Sequence, residues 1–80
     1  MADEAGQIRK RTIVVLDDDE GTRVSVGQML RLRGFKAEIF SSAEAALSWP
    51  ELAEADCAIV DVKMPGMDGE EFLAEIIRRR

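Results

Sequence analysis

Apolar residues fall in short blocks along the chain, and the blocks differ in period. Thr12-Ile13-Val14-Val15-Leu16 is continuous, mostly β-branched and bounded by charge. It is too short for a helix and does not alternate, so it predicts a strand covered on both faces in a parallel sheet. From Gly21 the period lengthens. Val26, Met29, Leu30 and Arg33 recur at i, i+3, i+4 and i+7, with Arg23, Gln28 and Arg31 elsewhere. This predicts an amphipathic helix with Arg31 and Arg33 in its last turn and Gly34 as its stop. In Phe35 to Phe40 the pattern alternates, with Phe35, Ala37 and Ile39 on one face and Lys36 and Glu38 on the other. That is the pattern of a half-exposed or edge strand.

Ser41-Ser42-Ala43-Glu44 has capping-box spacing, with Ser41 as the cap and Glu44 three residues on. A short helix over Ala43 to Ser48 follows and ends at Trp49-Pro50; Trp49 is expected to pack on a neighbouring element. Pro50 to Asp56 reads as a polar connection with room for a helical turn. Cys57-Ala58-Ile59-Val60 is a second compact apolar block, and like the first it ends on a carboxylate, Asp61. Cys57 is expected to be buried there as a small hydrophobe rather than a redox group. Val62 to Gly69 is a loop turning at Pro65-Gly66. Glu70 to Arg80 is a last helix, with Phe72, Leu73, Ile76 and Ile77 on one face and Arg78-Arg79-Arg80 at its C-terminal end. Residues 1–11 read as a flexible leader. The order β-α-β-α-β-α predicts an α/β fold with a parallel sheet and right-handed crossovers.

Composition removes whole classes of chemistry. The chain has 80 residues, room for one domain, and a single core of that size leaves only ~3–5 kcal/mol of net stability. With no His and one Cys, it cannot hold a structural zinc site, a Ser-His-Asp or Cys-His triad, or an internal disulfide. No apolar run approaches the ~18 residues of a membrane helix, and no signal peptide is visible. The formal charge of −5 argues against direct nucleic-acid binding, and Arg78 to Arg80 read as a solvated helix end. Any chemistry falls to carboxylates, and any metal should be a hard one.

The carboxylates are not scattered. In an open α/β sheet, ligands bind beyond the carboxyl ends of the strands, where strand order reverses. The first strand ends at Asp17-Asp18 and the third at Asp61, so adjacent strands would bring three carboxylates to one point. Their mutual repulsion is relieved by a divalent cation, and an oxygen-only set with room for water suits Mg²⁺. Asp19-Glu20 can be explained more simply, as the cap of the following helix.

Asp61-Val62-Lys63-Met64-Pro65-Gly66-Met67-Asp68-Gly69, taken with Val-Leu-Asp17-Asp18-Asp19-Glu20 upstream, resembles the receiver domain of two-component response regulators. The paired acids after strand one, the Asp ending strand three, the Pro four residues beyond it and the Met-Asp-Gly before a helix fall at that family's spacings. Phe40-Ser41-Ser42-Ala43-Glu44-Ala45-Ala46-Leu47 is similar to its second strand running into its second helix. The resemblance spans residues 12–80 and implies a flavodoxin-like (CheY-like) sheet. It also implies that Asp61 accepts a phosphoryl group from a sensor histidine kinase. Mg²⁺ would be held by Asp18, Asp61 and the Lys63 main-chain carbonyl, with Asp17 acting through water. Pro65 and Gly66 would shape the loop, Val62 would gate water, and Met64 and Met67 would pack.

Receiver domains have five strands in the order 2-1-3-4-5. Residues 12–80 supply strands one to three and helices one to three, so the expectation is a partial receiver lacking strands and helices four and five. The family's Ser/Thr after strand four and Lys after strand five have no counterpart, so phosphoryl transfer to Asp61 is expected to be impaired and its readout lost. The sheet would then be 2-1-3, with the third strand at an edge and helix faces exposed, either of them open to self-association. The resemblance further implies a cytoplasmic signalling module rather than an enzyme, read out by an output domain. Two other readings are a module that only dimerises or competes for partners, and a haloacid-dehalogenase-like phosphatase fragment. The phosphatase would use Asp17 as nucleophile and Asp19 as acid/base with Mg²⁺.

Overall fold

The computed structural model describes residues 10–61 and 64–79. The elements are β1 (Thr12–Leu16), α1 (Glu20–Leu32), β2 (Lys36–Phe40), α2 (Ala43–Leu47), a 3₁₀ turn (Leu52–Glu54), β3 (Cys57–Val60) and α3 (Gly69–Arg79). The sheet is parallel with the order β2-β1-β3, as expected for this α/β class. Of the leader, residues 1–9 lie outside the described residues. Arg11 is tied to the sheet: its carbonyl accepts the Lys36 amide at 2.9 Å.

β1 is central, and its side chains feed two cores on opposite faces. Val14 and Leu16 point to one side and pack with Ala43, Ala46, Leu52, Met64 and Phe72. Ile13 and Val15 point to the other and pack with Leu30 and Ala37. Period-two geometry splits one apolar run between the two layers. Phe72, Leu16 and Val14 are fully buried.

α1 packs on β2 and β1, while Cys57 and Ile59 of β3 are exposed. Its inward positions are Arg23, Val26, Gly27 and Leu30, the last two buried and the others half-buried. The expected stripe through Met29 is therefore corrected, since Met29 is 48% exposed. Gly27 sets the approach: a Cβ there would sit 3.1 Å from Ile39 Cγ2. Arg33 is the C-cap, not part of the last turn. Gly34 takes φ 91°, its amide donating to Arg31 O and the Phe35 amide to Leu30 O. This is the paired Schellman closure, and Phe35 and Leu30 supply its apolar contact within one core.

Three other expectations shift. The cap of α2 is Ser42, whose Oγ accepts the Ala45 amide, not Ser41; Glu44 is thus one position early for a capping box. Cys57 is exposed rather than buried. Among the described residues β3 is an edge strand; it turns Cys57 and Ile59 outward and keeps Ala58 and Val60 half-buried. On α3, Phe72 is buried and Ile76 half-buried, but Leu73 and Ile77 are 47% and 73% exposed, so the buried face is narrower than its apolar face. Trp49 does pack, its ring 5.7 Å from that of Phe40.

Candidate functional site

The ends of β1 and β3 are level because the ladder continues one step past each strand. Leu16 pairs with Val60, and the Asp61 amide donates to the Leu16 carbonyl at 2.9 Å. On the other side the Asp17 amide donates to the Phe40 carbonyl at 3.3 Å. Asp17 and Asp61 therefore leave the sheet side by side, at its carboxyl edge.

Local hydrogen bonds then turn the chain out of β1. Asp17 Oδ1 accepts the Asp19 amide at 2.9 Å, an Asx-type turn. The Arg23 guanidinium donates to the Asp17 carbonyl at 3.0 Å. Asp19 Oδ2 accepts the Thr22 amide at 2.8 Å and the Thr22 hydroxyl at 2.7 Å, capping α1. These two bonds, with the Arg23 charge in support, hold the Asp19 carboxyl below its ordinary range. The turn leaves Asp18 exposed, facing out above half-buried Asp17 and Asp61.

One carboxylate oxygen from each of Asp17, Asp18 and Asp61 can be chosen so that all three lie within 4.8 Å of one another. Opposed ligands of Mg²⁺ stand roughly 4 Å apart at the usual ~2.0–2.1 Å bond length, so the oxygens gather on the scale of one ion and its waters. The donor set is all oxygen, and Asp18 leaves the outer side open to solvent. The residues fit Mg²⁺. The expected Lys63 carbonyl ligand and the Val62 gate lie outside the described residues.

Of the loop residues, Met64 is buried and Met67 half-buried against the same core, which bears out their packing role. Pro65 is exposed, and Gly66 takes φ 77°, a left-handed turn that glycine adopts freely. The loop closes on a reciprocal cap: the Glu71 amide donates to Asp68 Oδ1 at 2.9 Å, and the Asp68 amide to Glu71 Oε1 at 3.2 Å. The capping box is here, not at Ser41 and Glu44, and its Asp-x-x-Glu spacing was available in the sequence. Two contributors were not: Arg23, and Glu44, which reaches the loop from α2.

The phosphatase reading loses its acid/base, because both Thr22 donors engage the Asp19 carboxylate as a helix cap. Among the described residues no helix is long and apolar enough to cross a membrane.

Comparison with known proteins yields one family. The model for the response regulator receiver domain matches residues 13–80. A cyclic di-GMP phosphodiesterase of Thermotoga maritima is 41% identical over 66 residues, covering 81% of this chain and 17% of that protein. The transcriptional regulatory protein FixJ of Rhizobium meliloti is 34% identical over 65 residues, covering 81% of this chain and 32% of FixJ. The chain thus spans less than a third of either relative's length. Among solved structures, the chemotaxis protein CheY4 of Vibrio cholerae superimposes with a TM-score of 0.83 at 28% identity, covering 89% of this chain and 59% of CheY4.

Proposed function

The chain belongs to the response regulator receiver domain family of two-component signalling, and from that premise we propose that Asp61 is its phospho-acceptor. Receiver domains are signalling modules, so the event is one transfer onto the protein rather than turnover. The donor would be a phosphohistidine on a sensor histidine kinase, and the setting the cytoplasm. The observation that carries the reading is the gathering of Asp17, Asp18 and Asp61 oxygens within 4.8 Å at the ends of two adjacent strands.

In the proposed transfer, an Asp61 carboxylate oxygen forms the new bond to phosphorus as the bond to the imidazole nitrogen of the donor breaks. The imidazole leaves carrying the electron pair and takes up a proton. Asp18, Asp61 and the Lys63 carbonyl would hold Mg²⁺ directly, with Asp17 acting through water. When bound, the cation would neutralise charge on the transferred oxygens. The chain's own part is positional. The Leu16 carbonyl fixes the Asp61 backbone, and the Asp17–Asp19 turn presents Asp18. An acyl phosphate on a carboxylate is labile enough for a transient signal, which an output domain would read.

Incubation with Mg²⁺ and a small phosphodonor such as acetyl phosphate, followed by mass mapping, tests this. The expected product is a hydroxylamine-sensitive adduct on Asp61; an adduct on Asp17 instead, or none, would refute it.

The open edge of β3 favours a second reading, a module that acts by association. Among the described residues β3 has one neighbour, and Ile59 on it is 43% exposed; such an edge accepts a further strand. Sedimentation equilibrium should show concentration-dependent self-association, and a folded monomer at every concentration would exclude it.

A further inference from the structure

We infer that Glu44 is a positioning residue for the loop that follows Asp61, with Gly66 as the surface against which it rests. The inference depends on the reading of Asp17, Asp18 and Asp61 as a Mg²⁺-dependent acceptor site.

Glu44 is the second residue of α2, which opens just beyond the C-terminal end of β2. It therefore stands at the same edge of the sheet as the three aspartates. Burial of Ala43 and Ala46 turns the opposite face of α2 outward, and Glu44 is exposed on it. An acidic side chain in a first helical turn ordinarily needs no role beyond offsetting the helix dipole. Here it has a specific one. Glu44 Oε2 accepts the Met67 amide at 3.3 Å, across 23 residues of chain.

Gly66 shows independently that the approach is close. A Cβ built on it would lie 3.2 Å from Glu44 Oε2 and 3.8 Å from Oε1. The residue is thus constrained twice, by its φ of 77° and by the carboxylate that lies over it. A side chain at position 66 would strain the turn and displace Glu44 together.

The rest of the loop shows what this contact adds. Asp61 is anchored to β1 through its amide, and Met64 is buried in the core. The far end is closed by the Asp68–Glu71 cap. Those ties set the depth of the loop and its exit into α3. Glu44 ties its outer turn, at Gly66 and Met67, sideways to α2. A carboxylate suits the task, since N–H···O⁻ bonds are the stronger kind. Glutamine keeps an acceptor of the same reach; alanine keeps none.

Calorimetric Mg²⁺ titration of the full chain, paired with exchange of the Met67 amide by NMR, tests the inference. Alanine is at least as good a helix former as glutamate, so E44A should lower the thermal melt only slightly, by the loss of one exposed hydrogen bond and of the first-turn charge. It should weaken Mg²⁺ binding by about fivefold, less than the roughly 10–100-fold seen when a group orienting a metal ligand directly is removed. It should also speed Met67 amide exchange, and E44Q should recover most of both effects. If the unsubstituted chain binds Mg²⁺ and E44A binds it equally well, or E44Q restores nothing, the positioning role is wrong and the acceptor reading stands. If the unsubstituted chain binds no Mg²⁺, both fall.

Discussion

The two strand ends that build the site are held in different ways. Beyond β1, the turn is made by neighbours in sequence: Asp17 to Asp19, Asp19 to Thr22 and Arg23 to Asp17, none more than six residues apart. Beyond β3, the loop depends on remote groups: the Leu16 carbonyl, the core around Phe72 and the Glu44 carboxylate. Each end keeps one ladder bond, Asp17 to Phe40 and Asp61 to Leu16; past it, the first turn is held by its own residues, whereas the second also leans on the core and on α2. Damage to the core should therefore reach Asp61 before it reaches Asp17 and Asp18.

The largest expected effect breaks the remote support. Phe72 is fully buried beneath β1 and against Met64 and Leu16 in the same core. Replacing it with alanine should cost about 3–5 kcal/mol, comparable to the ~3–5 kcal/mol that a domain of this size possesses. Circular dichroism should show F72A largely unfolded at 25 °C. The neighbouring Leu73, 47% exposed, provides the control: L73A should stay within about 0.5 kcal/mol of the parent, as surface substitutions do. Equal losses would contradict the assigned core.

A smaller effect sharpens the local side. Because the Thr22 amide and hydroxyl hold the Asp19 carboxyl below its ordinary range, its contribution to stability is complete above that range and is lost as pH falls through the lowered folded value. Asparagine caps a helix comparably well but does not titrate. The melting temperature of D19N should lie slightly below that of the parent at neutral pH, and the gap should close on acidification from about pH 5 to about pH 2. Parallel curves would mean that the cap carries no charge-dependent stability.

This contrast also explains what was legible in the sequence. The Asp17-to-Glu20 run, the helix stop at Gly34 and the level strand ends follow from local spacing and the parallel order, and these already locate three aspartates. Burial at Cys57 did not follow, because it depends on where α1 lies, and Gly27 lets that helix settle over Ile39 and β2 instead. The tie from Glu44 to Met67 was hidden for the same reason. So was the bond from the Thr12 amide to Asp56 at 2.7 Å, which joins residues 44 positions apart within a stretch that reads as a polar connection. Short-range chemistry is visible in spacing; a contact between distant segments becomes visible only once the sheet has brought them together.

The central claim is that two differently supported strand ends form one cation site. A Mg²⁺ titration followed by ¹H–¹⁵N NMR tests it most directly. The amides of Asp17, Asp18 and Asp61 should shift together along one saturable isotherm, and D18N and D61N should each weaken it by about tenfold or more. Shifts at Asp17 and Asp18 with Asp61 unmoved, and an affinity indifferent to D61N, would show that the acids after β1 act alone and would contradict the account.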